Sequence, residues 1–158
     1  MKEIVLRQMK ERGITIEGIV EIVFDLQKPY HPSLNKENCR EAVNAVLDKR
    51  EVQHAILTGL ALDIMAEKDL LPQPILQIIK EDESLYGIDE ILAIAITNIY
   101  GTIGITSFGY LDKMKIGLIG KLDSRKGSVN TFADDIVAAI ASAAAAKIAH
   151  SLKGGSES

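Results

Sequence analysis

The run from Ile136 to Ala146 reads IVAAIASAAAA, eleven residues without a charge, seven of them alanine. Alanine is the best helix former, because it loses no side-chain freedom on ordering. A helix that is apolar all the way round cannot face water, so it belongs at the centre of its domain. Its side chains are also too small to fill much space. Neighbouring helices must come close to it and must supply the large side chains themselves. The segment therefore calls for a ring of amphipathic helices around a thin axis. That axis is expected as a helix from Phe132 to about Leu152, with Thr131 as its cap.

The remaining sequence supplies such a ring. Ile4, Val5 and Met9 form a stripe on a helix over 2–12 that Gly13 ends. Thr15 caps a second, with Ile16, Ile19, Val20, Val23 and Phe24 at helical spacing. After Pro29 and Pro32, Asn35 caps a third, with Ala42, Val43, Val46 and Leu47 inward. A fourth over 52–68 carries Ala55, Ile56, Gly59, Leu60, Leu62 and Ile64. Short helices are expected over 75–80 and 116–122, with a longer one over 88–100. No stretch alternates apolar and polar residues as a strand would. The expected fold is all-α, one helical bundle over residues 1–152, followed by a disordered polar tail over 153–158. Its centre is a pair of apolar helices, those that begin near Asp89 and Phe132.

Composition narrows the function. A length of 158 residues with 47% hydrophobic and 25% charged side chains suits a single domain with its own core. A net charge of −4 argues against a nucleic-acid partner, which needs a basic face, and 4% aromatic residues provide few stacking surfaces. The single cysteine, Cys39, excludes an intrachain disulfide framework and a cysteine zinc cluster, and fits a reducing, cytoplasmic setting. His31, His54 and His150 have no zinc spacing. The N-terminus lacks the apolar stretch of a signal peptide. Residues 91–111 carry no charge and approach the length of a membrane span, but they include Thr97, Asn98, Thr102, Thr106, Ser107 and three glycines. A buried helix ending in a Gly-rich turn is the expected form. GTIGITSFG lacks the Gly-Lys-Ser/Thr end of a P-loop.

Two acidic pairs lead the two least polar helices, Asp89-Glu90 before ILAIAI and Asp134-Asp135 before IVAAIA. Carboxylates in a first turn favour the positive end of the helix dipole, and Thr131 with Asp134 has capping-box spacing. That accounts for either pair alone. If both helices start at the same end of the bundle, however, four carboxylates converge and repel one another unless a cation is bound. Hard divalent cations take carboxylate oxygens, and magnesium also takes waters and phosphate oxygens. Two such ions can activate a water against a phosphate. Asp112, with Lys113 and Lys115 beside it, is either a surface ion pair or a ligand flanked by phosphate-attracting ammonium groups. Asp63 and Glu67 share one face of the fourth helix.

These residues, read as GIDEILAIAI, YLDKMKIGLIGKLD and FADDIVAAI, resemble the phosphatidylglycerophosphatase A family over about residues 59–150. The resemblance implies an all-helical, magnesium-dependent phosphatase that converts phosphatidylglycerophosphate, or a related phosphate ester, to its alcohol. It implies metal ligands at Asp89, Glu90, Asp134 and Asp135, with Asp112, Asp134 and Asp135 catalytic. Lys113 or Lys115 would meet the phosphate, and Asp63 and Asp123 would be further acidic members. The Pro-Gly-Thr-x-Gly-Ser segment of membrane-bound members has no counterpart near this N-terminus. The chain therefore resembles a branch without membrane spans, with at most peripheral contact at the inner membrane face. A homo-oligomer is the expected assembly. Two other classes stay open: a non-catalytic helical scaffold with a structural cation site, and a magnesium-dependent nucleotide pyrophosphohydrolase.

Overall fold

The computed structural model describes residues 1–101 and 103–154. The protein is an all-α, single-domain bundle, and no strand occurs among the described residues. Helix α1 spans Lys2–Glu11, α2 Ile16–Gln27, α3 Lys36–Leu47, α4 Arg50–Glu67 and α5 Ile75–Lys80. They are followed by α6 (Ile88–Thr97), a 3-10 turn (Asn98–Tyr100), α7 (Ile103–Met114), α8 (Leu118–Asp123) and α9 (Ala133–Gly154). Among the described residues, no helix is long and apolar enough to cross a membrane.

The alanine-rich helix is the axis. Every residue from Asn130 to Ala146 is buried, and α9 packs against α2, α3, α4, α6, α7 and α8. The large side chains come from the ring, as the small ones on the axis require: Met9, Ile19, Leu47, Ile56, Leu60, Leu111, Ile119 and Leu122 are all buried. Approach is closest at Gly59 of α4, where an added Cβ would lie 2.5 Å from Ile136 Cδ1.

Chain direction sets which ends meet. Helix α6 runs alongside α9 in the same sense. At one end Asp89 faces Asp135. At the other, the Tyr100 carbonyl meets His150 Nε2 at 3.0 Å. Helix α7 returns antiparallel and brings Asp112 back to the starting end. Helix α4 finishes there too, carrying Asp63.

The structure departs from the sequence reading in three places. Residues 103–114 form a helix where a Gly-rich turn was expected. Only Gly101, at φ +93°, acts as a breaker. Gly104 instead permits close contact, since a Cβ there would lie 2.6 Å from the Thr97 carbonyl oxygen. Gly104, Phe108 and Leu111 form the buried stripe of α7. Thr131 does not cap α9: the first amides of the helix donate to another acceptor, and the Thr131 hydroxyl donates to the Ile79 carbonyl at 2.6 Å. The cap comes from another helix, described below. Finally, α9 runs to Gly154, so residues 153 and 154 of the expected tail are helical, while 155–158 and Thr102 lie outside the described residues.

Candidate active site

The acidic cluster is assembled at the end of the bundle where α6 and α9 begin. Glycine at 87, with φ +70°, turns the chain sharply into α6. Asp89 and Glu90 fall in its first turn, and Asp134 and Asp135 in the first turn of α9. Asp89, Asp134 and Asp135 are buried, at 8%, 3% and 3% exposure, whereas Glu90 is exposed. First-turn acids on an isolated helix would sit in water, so dipole compensation alone does not explain this burial.

Lys115 sits among them. Its Nζ is 3.1 Å from Asp112 Oδ1 and 3.1 Å from Asp134 Oδ2. The backbone at Lys115 is left-handed, φ +50°, and Gly117 follows at φ +57°. This sharp turn between α7 and α8 aims the ammonium back at the start of α9. Burial alone would lower the Lys115 pKa, but the charges of Asp134 and Asp112 more than reverse it and raise it. Lys113 is exposed and joins no ion pair among the described residues.

One ammonium does not balance this much negative charge. Burial raises the Asp135 pKa most. Next come the charge of Asp134 and the sharing of hydrogen bonds with the Asp89 and Asp112 carboxyls. Asp134 is also raised, first by burial, with Lys115 opposing and Asp82 and Asp123 adding to the rise. Glu90 is raised by burial and then by Asp112 and Asp89. Among the described residues, no three Asp, Glu, His or Cys side chains are gathered closely enough to cage a metal ion as they stand. Instead Lys115 bridges two of the carboxylates. The donor set still suits a hard divalent cation. It consists of carboxylate oxygens, Asp89, Asp134 and Asp135 are buried, and burial with mutual repulsion raises the pKa of Asp134 and Asp135.

Asp63 reaches the start of α9 from α4 and acts there as its cap. Its carboxylate accepts from Phe132 N at 3.0 and 3.2 Å and from Ala133 N at 2.9 Å. These are amides that a helix start leaves without internal partners. Burial pushes its pKa up to about 7, against the pull of those amides and of Arg12. Glu67, one turn on, is bound twice by Arg12, at 3.0 and 3.1 Å, and accepts from Val129 N at 2.9 Å. Arg12 also donates to the Val129 carbonyl at 2.7 Å. The pair on α4 therefore holds the segment leading into α9.

Two residues join the site that sequence reasoning missed. Asp82, left-handed at φ +50°, has its pKa raised by burial and then by Asp89 and Asp123. Nothing in the run EDES distinguishes it from Glu81 or Glu83. Tyr86 stacks edge-on against Phe132, with centroids 5.9 Å apart, and burial followed by the charges of Asp89 and Asp63 raises its hydroxyl pKa. Asp123, at the end of α8, is exposed, and its charge acts on Asp82 and Asp134.

Raised carboxyl pKa values set the direction of the pH dependence. A buried acid with a folded pKa above its unfolded value near 4 stabilises the fold fully below that value. The contribution is lost as pH rises through the folded pKa. Asp63, Asp134 and Asp135 all shift this way. In chelator, the melting temperature is expected to be higher at pH 5.5 than at pH 8 by roughly 5 °C, corresponding to about 2 kcal/mol. Thermal denaturation by circular dichroism at the two pH values checks this. A flat profile would mean that these carboxylates are already neutralised.

The comparisons with known proteins agree with the sequence resemblance. Residues 6–150 match the model of the family described as Phosphatidylglycerophosphatase A. The chain is 53% identical to the uncharacterized protein YpjQ of Bacillus subtilis over 150 residues, 95% of this chain and 85% of that one. It is 32% identical to the uncharacterized protein MJ1330 of Methanocaldococcus jannaschii over 114 residues, 72% of this chain and 84% of that one. The crystal structure of the low temperature requirement C protein from Listeria monocytogenes superposes with a TM-score of 0.94 at 52% identity, covering 96% of both chains. A match across nearly the whole bundle, with both acid-led helices inside it, shows that the chain belongs to the phosphatidylglycerophosphatase A family.

Proposed function

We propose that the protein is a magnesium-dependent phosphomonoester hydrolase. Its substrate in this reading is phosphatidylglycerophosphate or a related phosphate ester. Family membership supports phosphatase-like chemistry. The observation that carries the reading further is Asp135, buried against the carboxyls of Asp89 and Asp112 and beside Asp134, with one ammonium bonded in the cluster.

In this reading Asp89, Glu90, Asp134 and Asp135 hold magnesium. When bound, the ion neutralises these carboxylates and draws charge from the phosphate oxygens. Asp112 accepts a hydrogen bond from the attacking water and takes its proton as the new P–O bond forms. The ester P–O bond breaks, and the departing alkoxide takes the proton that Asp112 accepted, so that water is added across the ester and Asp112 is again a carboxylate. Lys115, released from Asp112 and Asp134, donates to the phosphate. Lys113, exposed in the last turn of α7, contributes longer-range attraction. No covalent intermediate is invoked, since among the described residues no serine or cysteine pairs with a base in the cluster. Cys39 is buried on α3.

The same proposal sets the protein in the cytoplasm, with peripheral membrane contact at most. It also includes a homo-oligomer, in which a second copy would cover some of the apolar surface left exposed at Leu85, Ile88, Ile91, Tyr110 and Met114. Sedimentation velocity checks the assembly.

The test of function is phosphate release from phosphatidylglycerophosphate in mixed micelles, from glycerol phosphates and from nucleotides. Each is run with magnesium, with chelator, and with Asp134→Asn. Magnesium-dependent release that is lost in the variant is expected. Full activity in Asp134→Asn would sink the site assignment. Pyrophosphate release from nucleotides alone would replace the reaction with pyrophosphohydrolysis. No release from any substrate, with no magnesium-linked rise in melting temperature, would favour the scaffold reading.

A further inference from the structure

Asp112 and Asp134 share one partner. Lys115 Nζ lies 3.1 Å from Asp112 Oδ1 and 3.1 Å from Asp134 Oδ2. The other oxygen of Asp134, Oδ1, accepts from the backbone amide of Asp135 at 2.9 Å. Oδ2 is therefore the freer oxygen for a cation, and the ammonium sits on it. An ion ligated by that oxygen would meet the like charge of the ammonium at close range. The two compete for one place. Carboxylates spaced around an ammonium are also not spaced for an ion, and among the described residues no three gather to cage one.

The backbone that carries Lys115 is held in place. Its φ is +50°, and a Cβ on Gly120 would lie 2.4 Å from the Lys115 carbonyl oxygen, so a side chain at 120 has no room. The Lys115 side chain is freer. It is 34% exposed, and its flexible four-carbon stem lets the ammonium swing to water while the turn stays where it is.

We propose that Lys115 is a tethered counter-ion, which occupies the cation's place in the metal-free protein and is displaced when a divalent cation binds. This rests on the hydrolase reading and adds a regulation to it. The same ammonium holds Asp112, so the base is freed only as a cation takes over Asp134. Cation occupancy and catalytic competence are thereby coupled. The strength of the Lys115 contacts sets the cation concentration at which the site fills.

Manganese is the probe, titrated at equilibrium into the full chain as wild type, Lys115→Met and Lys115→Gly. Methionine removes the charge and keeps an unbranched stem. Glycine removes it too and suits the left-handed backbone, so it serves if methionine disturbs the turn. Both variants are expected to bind manganese about tenfold more tightly than the wild type, because the competing charge is gone. A second measurement needs no variant. In the wild type, saturating magnesium is expected to shift the Lys115 ε-carbon resonance toward that of an exposed lysine. Equal or weaker manganese binding in a folded variant overturns the proposal and leaves the magnesium reading standing. So does a Lys115 resonance that stays put while the Asp134 amide responds to magnesium. If neither the wild type nor a folded variant binds manganese, the magnesium reading fails and this proposal with it.

Discussion

Asp135→Asn is expected to lower magnesium-dependent phosphate release by at least ~10²-fold while making the metal-free protein more stable. The two effects have one cause. Asparagine keeps the shape of the side chain and can share a hydrogen bond with the Asp89 or Asp112 carboxyl. It removes a carboxyl whose ionisation is opposed by burial and by Asp134. Without metal, the fold must hold that carboxyl protonated well above its ordinary range, and its removal is expected to raise the melting temperature in chelator by roughly 5 °C. With metal, the ionised carboxylate is what would bind the ion, and its loss removes affinity and turnover together. Phosphate release and thermal denaturation on the same preparation check both. A variant that lost activity and also melted lower in chelator would show that Asp135 holds the fold rather than the chemistry.

Asp63→Ala is expected to act in the opposite sense. The carboxylate lies on α4, and its three short contacts are with the backbone amides of Phe132 and Ala133 at the start of α9. Alanine leaves two buried amides without acceptors, each costing about 1–3 kcal/mol. Relief of a carboxyl held up near pH 7 by burial offsets part of this. A net loss of about 3 kcal/mol corresponds to a fall in melting temperature of roughly 6–12 °C for a chain of this size. Asp63→Asn keeps one acceptor oxygen and is expected to recover about half the loss. If alanine and asparagine were equally benign, α9 would be held by its packing and not by this cap.

The contrast between these two aspartates shows where sequence reasoning reached and where it stopped. Asp134 and Asp135 stood out because they interrupt, in adjacent positions, the approach to a segment with no other charge. Their burial follows once that segment is known to be central. Asp63 stood out less, and its role was legible only in part. Its spacing marks it as sharing a helix face with Glu67, but the amides it accepts from lie about seventy residues along the chain. Thr131 has the right residue type and spacing to cap α9. It does not, because Asp63 takes those amides as a charged acceptor, while the Thr131 hydroxyl donates to the Ile79 carbonyl. Asp82 could not be singled out from its neighbours, since what draws it in is a left-handed turn that local sequence does not demand.

The sequence alone determined the class of fold and its centre. Alanine, isoleucine and valine without charge over three turns can only be a buried helix, and the amphipathic periods elsewhere can only be its ring. It also determined that two acid pairs lead the most apolar helices, because that is a statement about neighbours along the chain. The tertiary structure decided that α6 and α9 run in the same sense, so that the pairs meet, and that α7 is a helix which returns Asp112 and Lys115 to the same end. It also turned Asp63 toward the backbone amides of Phe132 and Ala133. Helix propensity and hydrophobic period are local properties, set within a few turns. Helix direction, long-range capping and the crowding of charges depend on contacts between distant segments, which form only when the whole bundle closes on its axis.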